Sequence, residues 1–128
     1  MKIKLRTVVV DCKDAQATSA FYSNLLGWEI TVREPDWVLI RDPKGGTGLS
    51  FQTEENYVPP VWPEEPGKPM KMLHLDFLVD DRAQAERHAL ECGAVKSPVQ
   101  FLEGVTVFFD PDGHPFCLFE DPGYSWEE

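Results

Sequence analysis

The chain has no apolar run approaching the ~20 residues that a membrane helix needs, so no membrane partner is expected. It is short of basic residues: 12 Lys and Arg stand against 22 Asp and Glu, a formal net charge of −10. Phosphate backbones are bound by basic patches and none is visible, so nucleic acid is not an expected partner. The acidic balance serves solubility and would suit a cationic ligand. Cysteine is scarce. Cys12, Cys92 and Cys117 are odd in number and widely spaced. They match neither a disulfide framework nor a Cys-x-x-Cys metal knuckle, so a reducing cytoplasm is the expected home. The N-terminal MKIKLRTVVVDCKD has basic residues, but its apolar stretch is only Val8–Val10 before acid follows. It reads as a first strand rather than a signal peptide.

What is present is enough for one folded domain. The 128 residues are 42% hydrophobic and 12% aromatic, which supports a real core. Residues 5–10 are β-branched and apolar and predict a strand. Asp14 is placed to cap a helix carrying Ala17, Phe21 and Leu25 on one face, and Gly27 is its stop. Residues 28–33, 37–41 and 48–52 predict strands, with turns at Glu34-Pro35-Asp36 and Asp42-Pro43-Lys44-Gly45. The stretch 57–71, YVPPVWPEEPGKPMK, holds five of the eleven prolines and reads as a connector or covering loop.

After that connector the pattern restarts. Residues 72–79 alternate as a half-buried strand. Asp81 or Asp80 caps a helix, with Gln84 placed for a capping-box-like contact and Gly93 closing it. Residues 95–102, 105–110 and 116–120 predict strands, the last after the turn Asp110-Pro111-Asp112-Gly113. Thr7 lies 67 residues before His74, Asp14 67 before Asp81, Gly27 66 before Gly93, and Asp42 68 before Asp110. Four landmarks in one order at nearly constant offset mark an internal duplication. The expectation is an α+β chain of two tandem βαβββ modules, about 1–56 and 72–128, joined by the connector 57–71. Together they would form a half-open, mostly antiparallel barrel with a cleft between the modules.

Four stretches, VVVDCKDAQATSAFYSNLLGWEI (8–30), PPVWP (59–63), MLHLDFLVDDRAQAERHALECGA (72–94) and DPDGHPFCLFED (110–121), carry a family likeness. The chain resembles the glyoxalase, bleomycin-resistance and extradiol-dioxygenase group, the vicinal-oxygen-chelate superfamily, over almost its whole length. The resemblance implies a homodimer, since many relatives assemble that way. It also implies a divalent metal held by His, Gln or Glu on the first strand of each module and a carboxylate on each last strand, polarising substrate oxygens. Here His74 matches one of those four positions, but Thr7 is a poor ligand and Cys117 replaces a carboxylate. The fourth position falls near Leu49, with Phe51 on the same face. A lone imidazole does not hold a catalytic metal, so no cofactor is expected.

The expected ligand-binding residues are Thr7, Trp37, Phe51, Trp62, His74, Phe101 and Cys117, with Phe108 a further aromatic candidate. Each has a plainer reading. The aromatics also serve as core, His74 as a strand histidine bonded to a neighbour, and Cys117 as a small buried hydrophobe. Trp62 differs because it sits among prolines, where core burial is less expected, and suits the cap of an apolar ligand site. The leading expectation is a binder of a small organic molecule in the inter-module cleft without the usual metal, drug sequestration being one version. The alternatives are a metal-dependent lyase or dioxygenase with a non-standard ligand set including His74, or an interaction module whose cleft is filled by its own side chains. Whether a reaction is catalysed stays open.

Overall fold

The computed structural model describes residues 1–127. Two compact units divide the chain, Met1–Val58 and Pro59–Glu128. Each is a βαβββ module, so the duplication legible in the residue spacing is the architecture itself. The proline-rich stretch groups with the second unit. Within it the Val61 N–H donates to Pro69 O at 2.8 Å and Lys68 N–H to Glu65 O at 3.1 Å, so the connector folds on itself.

The first module runs β1 (Thr7–Cys12), α1 (Ala15–Leu26), β2 (Glu29–Glu34), β3 (Trp37–Arg41) and β4 (Gly48–Thr53). The Asp14 carboxylate caps α1 by accepting from Gln16 N–H, and Gly27 ends it at φ 70. A cap of this kind contributes about 1 kcal/mol. The sheet order is β1-β4-β3-β2, with β1 parallel to β4 and the other two pairings antiparallel.

The second module repeats the plan: β5 (Leu75–Leu78), α2 (Arg82–Cys92), β6 (Val95–Lys96), β7 (Val105–Phe109) and β8 (Pro115–Phe119). Its order is β5-β8-β7-β6, again with one parallel pair. Asp81 rather than Asp80 caps α2, and Gln84 contributes its backbone N–H at 3.0 Å. The strand expected over 95–102 is only two residues long. Pro98 cannot donate to a ladder. Beyond it the Gln100 side chain takes the strand's place, accepting from Val107 N–H at 2.8 Å and donating to Val107 O at 3.0 Å.

Each sheet buries one face under its own helix. In the first module the alternation puts Val10, Val38, Ile40 and Phe51 on that face, where Phe51 stacks on Tyr22 of α1 at 5.4 Å. In the second it puts Phe77, Phe108, Phe116 and Leu118 there, with Phe108 stacked on Phe116 at 5.7 Å. The other faces are left for the site residues.

Candidate functional site

Strand pairing settles which side chains share the face away from the helix. In β5 and β8, Asp76 lies directly across from Cys117, and Val107 of β7 pairs with Cys117 from the other side. Two residues before Asp76, on the same side by the strand's period of two, stands His74. These residues, with Trp62, Phe101, Leu102 and Val105, line a cavity of about 240 Å³ in the second module. The walls are aromatic and aliphatic, while the floor holds an imidazole, a carboxylate and a thiol.

The aromatic wall is built from the connector. Trp62 stacks on Phe101 with ring centres 5.0 Å apart and lies tilted over His74 at 5.0 Å. The Lys71 ammonium sits 3.9 Å from the Trp62 ring centre, a cation–π contact, and pairs with Glu64 at 2.8 Å. Phe101 is 49% exposed, so it presents apolar surface at the cavity.

On the floor, His74 Nε2 is 3.2 Å from Asp76 Oδ1. Cys117 is 3% exposed and its thiol is pushed up to about 11, first by burial, then by the charge of Asp76 and its hydrogen bond to that carboxylate, against a small lowering by Lys71. A raised thiol stabilises the fold below its unfolded value, and that contribution is lost as pH climbs through about 11. The same protonation keeps Cys117 unreactive at neutral pH. Alkylation of Cys117 in metal-free protein, followed by peptide mass spectrometry, is expected to rise about tenfold per pH unit until near 11. A rate that levels off near an ordinary thiol value of about 8.5 would contradict this environment.

Of the expected ligand-binding residues, the structure brings together Trp62, His74, Phe101 and Cys117. Thr7 and Trp37 belong to the first module, on the face of its sheet away from α1. Phe51 stands on the opposite face, fully buried against Tyr22, and Phe108 is likewise buried on the helix side of its own sheet. The strand register also corrects the position equivalent to Cys117. Val9 pairs with Ser50 as Asp76 pairs with Cys117, so the counterpart is Ser50, neither Leu49 nor Phe51. Its hydroxyl lies 2.8 Å from that of Thr7, so the two first-module positions bond each other.

The four-position metal set implied by the family resemblance is therefore not met. Two of its positions are hydroxyls, which compete poorly with water for Zn, Fe or Mn, and a third is a thiol in place of a carboxylate. The residue that sequence reasoning missed is Asp76. Read alone it was the polar position of an alternating strand, and only the pairing with Cys117 gives it a place on the cavity floor.

Comparison with known proteins agrees with the fold. Residues 7–119 match the Glyoxalase-like domain. The protein YaeR of Escherichia coli (strain K12) is 31% identical over 121 residues, covering 88% of this chain and 92% of YaeR. A glyoxalase family protein from Enterococcus faecalis superposes with a TM-score of 0.68 at 26% identity, covering 91% of this chain and 97% of that one. A glyoxalase/bleomycin resistance protein/dioxygenase family enzyme from Burkholderia phytofirmans PsJN superposes with a TM-score of 0.71 at 18% identity, over 92% and 98% of the two chains, a likeness of fold. With a family match spanning both modules and the paired βαβββ plan on each side of it, the chain belongs to the glyoxalase-like domain family of the vicinal-oxygen-chelate superfamily.

Proposed function

We propose that this protein binds a small organic molecule, with its apolar part against Trp62 and Phe101 and a polar group toward His74 and Asp76. The observation that carries the reading is the stacked Trp62–Phe101 wall over a polar floor. Apolar pockets with a few placed polar groups are the usual form of small-molecule sites. The volume limits the occupant. About 240 Å³ is below the roughly 300–1,000 Å³ of drug-sized sites, which favours a ligand of one or two rings. The charge balance favours a cation or hydrogen-bond donor. Asp76 is 58% exposed at its side chain, Lys71 is neutralised by Glu64, and the chain carries a net charge of −10. A cytoplasmic location and a homodimer, the latter implied by the family resemblance, belong to the same proposal; sedimentation velocity checks the dimer.

The test compares naphthylmethylammonium with naphthoate by isothermal titration calorimetry on metal-free protein. The cation is expected to bind more tightly. Trp62→Ala is expected to weaken that binding about tenfold or more, since one lost aromatic contact is worth roughly 0.5–1.5 kcal/mol beyond area burial. Equal affinities for the two probes, or a W62A variant binding as tightly as the parent, would count against the reading.

A further inference from the structure

We propose that His74, Asp76 and Cys117 form a binding site for a single thiophilic divalent metal ion of the zinc or cadmium class, contained wholly within the second module. The donors are one imidazole nitrogen, one carboxylate oxygen and one thiol sulfur, all within 4.8 Å of one another. A four-coordinate ion with bonds of about 2.0–2.3 Å sets its ligand atoms roughly 3.3–3.8 Å apart. His74 Nε2 and Asp76 Oδ1 are already 3.2 Å apart.

The backbone supports convergence. Asp76 and Cys117 are held opposite each other by the parallel ladder of β5 and β8, so two of three donors sit on paired strands rather than loops. His74 precedes β5 on the same side and is backed by Trp62. Lys71 lies against this wall, and its charge is taken up by Glu64 and the Trp62 ring. Three protein ligands leave one position of a four-coordinate ion for water or a ligand, and all three donors line the cavity.

This donor set differs from the two-module nitrogen and oxygen set that the family resemblance implies. It uses neither Thr7 nor Ser50, and it adds Asp76. A thiolate selects soft or borderline ions over magnesium, calcium and manganese. On binding, the Cys117 thiol gives its proton to solvent and coordinates as thiolate. The metal site shares His74 and Asp76 with the organic-ligand reading but does not rest on it, and the two are measured separately.

The experiment titrates full-length, reduced, metal-stripped protein with Co²⁺ and follows the optical spectrum. The expected result is saturation at a single equivalent, with a thiolate-to-cobalt charge-transfer band and the strong visible bands of four-coordinate cobalt. Zinc or cadmium should displace both, and a large excess of magnesium should not. Cys117→Ser is expected to remove the charge-transfer band. Asp76→Asn, which keeps the size of a side chain that is 58% exposed, is expected to weaken cobalt binding about tenfold or more. Cys92→Ser is the control, because Cys92 Sγ lies 3.8 Å from His88 Nε2 and offers a competing thiol; its band should persist. The proposal is overturned if the parent takes up no cobalt, if the band survives C117S or is lost in C92S, or if D76N binds as tightly as the parent. Naphthylmethylammonium binding is measured on the metal-free protein, so failure of one site leaves the other separately decided.

Discussion

Replacing Phe51 with alanine is expected to lower folding stability by about 3–5 kcal/mol and leave naphthylmethylammonium affinity unchanged. Phe51 is fully buried and stacks on Tyr22 at 5.4 Å, under a helix that also contributes buried Phe21. Truncation removes the transfer free energy of a phenyl ring and leaves a cavity that Val10, Val38 and Ile40 cannot fill without strain. In a chain of 128 residues that loss corresponds to a fall in melting temperature on the order of 10–20 °C. Urea unfolding followed by far-ultraviolet circular dichroism gives the stability, and calorimetry of the same variant gives the affinity. A drop in affinity with stability nearly intact would return Phe51 to the binding surface and undo its assignment to the core.

Phe51 also shows what the residue order reveals and what it hides. The duplication was legible because helix caps are local: Asp14 with Gly27 and Asp81 with Gly93 mark the same events in both modules. The turns were legible for the same reason, since Asp-Pro-x-Gly carries its own bonding pattern. Strand register is different. A slip of one residue moves every side chain to the other face, and no local residue fixes the count between a turn and the site. The position expected near Leu49 is thus Ser50 by the pairing, and Leu49 and Phe51 share the opposite face. Asp76 escaped for the same reason, because its meaning depends on Cys117, 41 residues away, being its direct neighbour across the ladder. The short β6 has another cause. Val95–Leu102 has strand-like composition, but Pro98 and the Gln100 side chain replace its ladder with other bonds.

The duplicated Asp-Pro turns supply their own control for a second large effect. Asp110→Ala is expected to cost about 3–5 kcal/mol, whereas Asp42→Ala is expected to cost about 1 kcal/mol. Both carboxylates accept a hydrogen bond from the backbone N–H two residues on, Lys44 in one turn and Asp112 in the other, each at 2.9 Å. Only Asp110 is buried, at 2% exposure, and its carboxylate also accepts from His114 N–H at 2.9 Å and contacts His114 Nδ1 at 2.7 Å. Its own N–H donates to His114 O, and the loop is drawn closed by Gly113 N–H on Asp110 O, both at 2.9 Å. Removing the carboxylate therefore strands part-buried donors at the point where the chain enters β8. Five bonded groups held in place there fix where Pro115 begins the strand, and hence that Cys117 faces Asp76. The second expected consequence is functional: D110A should weaken cobalt binding at the Cys117 site even at temperatures where it stays folded, and D42A should not. Matched urea titrations and cobalt titrations of the two variants check both halves, and equal costs at the two aspartates would show that burial of the second turn contributes nothing.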